Sequence, residues 1–336
     1  MTAIDVHAHV IVPELLRSSA PGEAWRPGVV RDEGGQVVEL GGARIRSMVS
    51  EAVEIGEIVA SQERAGVGVT LLCPWVPLLF YDVEADAALE RCRLQNSGLA
   101  RLHADHPERV RVLGAVPLQD PELAARELER LMTSDAFAGV EITTSVNGSS
   151  LGDDRFEPFW AAAEATGALV FIHPTTRGIA LPVLDERYLW NLVGNPMETT
   201  VAAAHLVLTG TLGRHPELRI LLAHGGGAIV ALSGRLRHGQ ATVAAAGPEP
   251  AVGADAEIRR RFLYDSVVHD PQLLRVLVEL VGSERVLLGS DYPFDMADPD
   301  PVATVRAAGL GDGDEHAVLC GNAMRELGLA ATMGRQ

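Results

Sequence analysis

Lysine is missing altogether: in 336 residues, Lys and Arg together number 28, and every one of them is arginine. Schiff-base chemistry, pyridoxal phosphate anchoring and a Walker A phosphate loop are thereby excluded, since each needs a lysine amine. Cysteine is scarce. Cys73, Cys92 and Cys320 stand far apart without a Cys-x-x-Cys spacing, which argues against a disulfide framework or a cysteine zinc site and for a reducing, cytoplasmic setting. No run of about eighteen apolar residues occurs, and the first residues lack the basic and apolar regions of an export signal, so no membrane partner is expected. An excess of positive charge is absent too. The 45 acidic residues leave a formal net charge of −17, and the arginines are scattered, so nucleic acid is not an expected partner.

What is present is a core-forming chain, 47% hydrophobic, in which short apolar or β-branched runs alternate with helical stretches. The runs fall near residues 3–7, 67–73, 111–117, 138–143, 168–173, 218–223, 262–267 and 285–290, and they are almost continuously apolar, as strands covered on both faces are. Between them, Leu89, Cys92, Leu99 and Leu102 share a helical face, as do Ala124, Leu128 and Leu131, and Leu273, Leu277 and Leu280. Asp120-Pro121 and Asp270-Pro271 read as an N-cap followed by proline at the first helical position. Eight such units, with no glycine-rich nucleotide turn after Val6, indicate an α/β chain folded as a (β/α)8 TIM barrel. The expected organisation is a single domain over 1–336. Residues of about 10–50 form a small insertion after the first strand, over the barrel mouth; 175–195 form a second irregular segment there, and 240–257 a surface loop.

Within Ile-Asp-Val-His-Ala-His, alternation places Asp5, His7 and His9 on one face of the first strand and Ile4 and Val6 on the other. Three more strand ends carry ionisable groups after apolar runs: His173 in Leu-Val-Phe-Ile-His-Pro, His224 in Ile-Leu-Leu-Ala-His-Gly-Gly-Gly, and Asp291 in Val-Leu-Leu-Gly-Ser-Asp-Tyr-Pro. An ionisable group at such a position is costly without a partner. Nitrogen and oxygen donors meeting at one mouth suit one divalent cation per subunit, Zn2+ first with Mn2+ or Fe2+ as alternatives, in an open, catalytic site. His269 is a candidate for the pocket wall, while His103, His106, His205, His215, His238 and His316 read as packing or surface histidines.

The pattern His7-x-His9, His173, His224 and Asp291 resembles the amidohydrolase superfamily. The strings His-Gly-Gly-Gly-Ala (224–228), Val-His-Asp-Pro (268–271), Gly-Ser-Asp-Tyr-Pro-Phe (289–294) and Leu-Val-Gly-Asn-Pro-Met-Glu-Thr-Thr (192–200) resemble its decarboxylase branch, typified by 2-amino-3-carboxymuconate 6-semialdehyde decarboxylase. That resemblance implies His7, His9, His173 and Asp291 as metal ligands, with Asp291 also counted among the catalytic groups. It implies His224 as the acid/base, Arg46 and Arg235 as grips on substrate carboxylates, Arg235 across a homodimer interface, and Trp190 as an aromatic wall. The activity implied is metal-dependent, non-oxidative decarboxylation of a small unsaturated or aromatic carboxylic acid. Thr175 stands where the typified enzyme has tryptophan, Ile45 where an aromatic precedes the arginine, and Ile229-Val230 where it has an aromatic-proline pair, so substrate identity does not carry over. A hydrolase or hydratase of a lactone, amide or unsaturated acid on the same scaffold is the competing assignment, and a catalytically inert barrel is a third.

Overall fold

The structure, a computed structural model, describes residues 2–17, 25–32, 35–40, 43–45, 53–247 and 252–329. Eight strands, β1 (Ala3–Val10), β2 (Val67–Pro74), β3 (Val110–Gly114), β4 (Phe137–Thr143), β5 (Leu169–His173), β6 (Arg219–Leu222), β7 (Phe262–Asp265) and β8 (Val286–Leu287), pair in parallel and in chain order. Hydrogen bonds from Val6 N to Leu288 O (2.9 Å), Asp291 N to His7 O (2.8 Å) and His9 N to Tyr292 O (2.7 Å) join the first strand to the chain beyond β8 and shut the sheet into a barrel. The helices between strands are α1 (Ile55–Arg64), α2 (Ala85–Asp105), α3 (Pro121–Leu131), α4 (Glu157–Thr166), α5 (Asn195–Leu208), α6 (Ile229–Thr242), α7 (Ala254–Arg261) and α8 (Pro271–Val281).

Alternation along the strands divides the buried side chains into two layers. Val112, Val140, Ile142, Val170, Ile172 and Leu222 belong to the cluster that packs under the helices. Leu71, Leu113, Leu169, Phe171, Leu221 and Leu263 form the other, closed off by Cys320 and Ala323 near the C-terminus. A barrel of this size is a packed core and not a pore, so function is confined to the ends of its strands. The insertion after β1 contains a three-stranded antiparallel sheet, Gly28–Asp32, Gly35–Leu40 and Ala43–Ile45.

Asp120 and Asp270 accept from backbone amides at the starts of α3 and α8, each followed by the expected proline. Two expectations need correction. Helix α8 buries Leu274, Leu277, Val278 and Val281, leaving Leu273 and Leu280 exposed; its sequence is apolar on two faces, and only packing against the barrel selects between them. The segment 240–257 is also not all loop, because α6 runs to Thr242 and α7 begins at Ala254.

Phe159 in α4 is fully buried, its ring edge-on to Trp160 at 5.0 Å. Phe159→Ala is expected to remove about 3–5 kcal/mol of stability, read from urea denaturation, with metal binding unaltered.

Candidate metal centre and active-site cavity

Four of the side chains singled out at strand ends meet at one point: the ligand atoms of His7, His9, His173 and Asp291 all lie within 4.8 Å of one another, and all four residues are buried. His7 Nε2 is 3.2 Å and His9 Nε2 3.4 Å from Asp291 Oδ1, and the two Nε2 atoms are 3.1 Å apart. The opposite side of each ring sets its tautomer. His9 Nδ1 donates to Pro74 O (2.9 Å), His173 Nδ1 to Pro174 O (3.0 Å), and His7 Nδ1 to Asp265 Oδ2 (2.6 Å). With protons committed to Nδ1, the Nε2 atoms of the three rings face one another, an arrangement that calls for a cation between them.

Two further observations fit a metal. Among the described residues, His173 Nε2 and Asp291 Oδ1 are buried with no hydrogen-bond partner. The electrostatics also favour positive charge at the centre. Burial opposes protonation of His7, yet Asp291 and Asp265 raise its pKa to about 10. Burial pushes the pKa values of His9 and His173 down, so these two are neutral donors, and burial of Asp291 is outweighed by His7, His224 and His9, which hold it well below the usual carboxylate range. Three imidazole nitrogens and a carboxylate oxygen are a donor set for a single divalent ion.

His224 stands beside this cluster, its Nε2 3.4 Å from Asp291 Oδ2 and its Nδ1 buried without a partner. Its φ of 56° begins a tight turn through three glycines, of which Gly227 packs so close to Pro196 O that a Cβ there would lie 2.0 Å away. Gly227 thus serves close packing of the turn against α5, while Gly225 and Gly226 pack against Val268 and Tyr264. A cavity of about 260 Å³ opens from His224 and Asp291 between Val267, Val268, Leu273 and Met296. His269 lines it as well.

Asp5 does not join the imidazoles. The pairing of β1 with β2 shifts between Asp5 and Ala8, and the Asp5 carboxylate instead accepts from Gln62 of α1 (2.9 Å) and from Ser290 Oγ (2.5 Å). Trp190 lines an adjoining hollow of about 290 Å³, with the Arg177 guanidinium 5.0 Å from its ring, and is not among the residues around the His224 cavity. Arg235 is exposed on α6 and likewise does not line that cavity, and Arg46 lies outside the described residues.

Two acidic residues that the strand-end pattern did not single out belong to the same centre. Asp265, the last residue of β7, accepts from His7 Nδ1 and from the backbone amides of His224 (2.9 Å), Gly225 (2.7 Å) and Val267 (3.1 Å), so one carboxylate orients a metal-facing ring and the turn carrying His224. In sequence it looks like an ordinary polar strand end. Glu141 of β4 is fully buried, with Oε1 3.8 Å from His9 Nδ1, both oxygens lacking a hydrogen-bond partner and burial raising its pKa well above the carboxylate range. Its only sequence signal is an acid inside the apolar run Gly-Val-Glu-Ile-Thr. Asp265→Asn keeps the shape but weakens the acceptor, and metal affinity is expected to fall about 10–100-fold in chelator-competition titrations, whereas Asp120→Asn at the α3 cap leaves it unchanged.

Comparison with known proteins accords with this geometry. Residues 4–329 match the model of the amidohydrolase family. The chain is 32% identical over 263 residues to 2-amino-3-carboxymuconate-6-semialdehyde decarboxylase of Dictyostelium discoideum, covering 76% of this chain and 71% of that one. It is 30% identical over 308 residues to gamma-resorcylate decarboxylase of Rhodococcus jostii, covering 87% and 88%. The crystal structure of 5-carboxyvanillate decarboxylase from Sphingomonas paucimobilis superposes with a TM-score of 0.81 at 27% identity, over 97% of this chain and 98% of that one. With its eight-stranded barrel and its His-x-His strand beside an aspartate just past strand eight, the chain belongs to the amidohydrolase family.

Proposed function

We propose that this chain is a metal-dependent, non-oxidative decarboxylase of a small unsaturated or aromatic carboxylic acid, a carboxy-lyase in a barrel formed by a single domain. The observation that carries this reading is the juxtaposition of three inward Nε2 atoms and the unpartnered Asp291 Oδ1 with His224, beside a cavity lined by Val267, Val268, Leu273 and Met296 together with Asn191, Asn195 and His269. Relatives at 30–32% identity with decarboxylase activity support it.

A divalent ion held by His7, His9, His173 and Asp291 would supply Lewis acidity toward a substrate oxygen. The remaining work falls to the chain. His224 delivers a proton to the carbon bearing the carboxylate, and that carbon then loses its carboxylate: the C–C bond breaks, its electron pair restores the double bond at the carbon, and carbon dioxide departs. Carboxylate plus proton becomes carbon dioxide plus the product with a C–H bond in place of the carboxylate, with no redox change. Asp291 Oδ2, within 3.4 Å of His224 Nε2, keeps the imidazole aimed at the cavity. Val267, Val268 and Met296 limit water around the reacting carbon.

The nitrogen-rich donor set favours Zn2+, with Mn2+ as the alternative that metal analysis distinguishes. Arg46 is assigned to a substrate carboxylate, and Trp190 to the outer aromatic wall. Arg235, exposed and with no ion pair among the described residues, is assigned to the partner subunit's pocket in a homodimer; exposed Leu273, Val276 and Leu280 on α8 offer apolar surface for such an association. The proposed compartment is the cytoplasm.

Purified protein loaded with Zn2+ or Mn2+ is expected to release carbon dioxide from acids of this class; conversion without carbon dioxide would instead establish hydrolysis or hydration. His224→Ala is expected to lower kcat by roughly 10²–10⁴-fold while the metal content stays at the wild-type value. Prolonged chelation is expected to abolish turnover, restored by adding back the ion. Full activity in His224→Ala, or after verified metal loss, would sink the mechanism.

A further inference from the structure

Two of the three acceptors that fix an Nδ1 at the metal centre are themselves firmly held. Pro74 is the last residue of β2 and pairs with Val10 of β1, and the Asp265 carboxylate is gripped by three backbone amides. Pro174 differs, because it lies past the end of β5, where the irregular segment over the mouth begins. Its carbonyl needs a restraint of its own.

That restraint is found on the other side of the same peptide unit. A trans peptide is planar, with its C=O and N–H directed oppositely, so fixing one end fixes the other. In the unit joining Pro174 to Thr175, the C=O accepts from His173 Nδ1 (3.0 Å) and the N–H donates to Glu198 Oε2 (2.7 Å). Glu198 stands in the first turn of α5 and is only 4% exposed. It also accepts from the Thr175 hydroxyl, from Gly178 N (2.6 Å) and from Thr144 Oγ1 (3.0 Å), and none of its donors among the described residues is a cation. Thr144 in turn donates from its own N–H to His173 O (3.0 Å), so the hub closes on the candidate ligand from a second side.

The two amides that Glu198 grips bracket Thr176 and Arg177, whose φ values of 63° and 70° a side chain adopts only where its surroundings enforce them. Tying α5 to the mouth would not by itself require a buried charge, whose desolvation is costly. A charged acceptor does something more. Its bond to the N–H is stronger than a neutral one, and it polarises the peptide, which makes Pro174 O the better acceptor for Nδ1.

We propose that Glu198 is a positioning residue for the metal centre: through the Pro174–Thr175 peptide it fixes His173 in the Nδ1–H tautomer and so keeps Nε2 free to bind the ion. The inference rests on the metal-dependent reading above. It adds a carboxylate that acts on His173 across a peptide bond, as Asp265 acts on His7 directly.

The test uses the full chain, isotopically labelled at the histidine nitrogens, as wild type and Glu198→Ala. Ring-nitrogen resonances show which nitrogen carries the proton, and His173 is assigned from the signal missing in His173→Gln. Metal-free wild type is expected to hold His173 as the Nδ1–H tautomer. In Glu198→Ala an Nε2–H population appears at His173 while His9, whose acceptor is Pro74 O, keeps its proton on Nδ1. Affinity for Zn2+ falls about 10–100-fold in chelator competition. A merely structural loosening would leave the His173 tautomer in place or disturb both rings alike; either result, or wild-type Zn2+ affinity in the folded variant, overturns the assignment. Where Glu198→Ala does not fold, Glu198→Gln decides alone, since it keeps the shape and loses the charge. A loss of about threefold or more in Zn2+ affinity with the same His173 signal supports the role, and wild-type values overturn it. A wild type that takes up neither Zn2+ nor Mn2+ removes the metal-dependent reading, while the tautomers of the metal-free chain decide the role of Glu198 separately.

Discussion

The centre depends on a set of hydrogen bonds that never touch the metal position. Pro74 O, Pro174 O and the Asp265 carboxylate each accept from an Nδ1, and that choice of proton position on three rings turns three Nε2 atoms toward one point. Were the tautomers free to change, the same histidines at the same strand ends would form a loose polar patch. Two of the acceptors are backbone carbonyls, at the last residue of β2 and just beyond β5, so the barrel's own main chain preorganises its donor set. The third, Asp265, ties that set to the turn bearing His224, so a single carboxylate keeps the His224 turn in register with the candidate ligands.

The barrel was legible because its strands are buried on both sides and therefore read as unbroken apolar runs, with ionisable residues conspicuous where each run stops. His173, His224 and Asp291 stand out for that reason. Asp265 does not, since Phe-Leu-Tyr-Asp-Ser is equally compatible with a strand that ends in an exposed cap, and Glu141 lies within a run and not at its end. The strict alternation expected for Asp5, His7 and His9 is interrupted by a shift in strand pairing, which period-two counting has no means to register. On α8 the failure has another cause: Leu-Leu-Arg-Val-Leu-Val-Glu-Leu-Val offers two apolar faces, and the buried one is decided by neighbours distant in sequence.

The polar wall was the least legible part. Asn195 sits in a run that reads as an ordinary helix start, and only the structure shows its Oδ1 buried without a partner among the described residues. Asn96 and Asn322, whose amides donate to backbone carbonyls of neighbouring elements, are buried polar groups of the other kind, satisfied in holding the fold together.

The barrel closes where its first strand meets the chain just past its eighth, and the cluster straddles that seam: His7 and His9 belong to one edge, Asp291 to the other. An ion bound there would act as a cross-link between residues separated by nearly the whole length of the polypeptide. Constraints of that span remove more freedom from the unfolded chain than local ones do. Loading the centre would then brace the cylinder as well as equip it for chemistry.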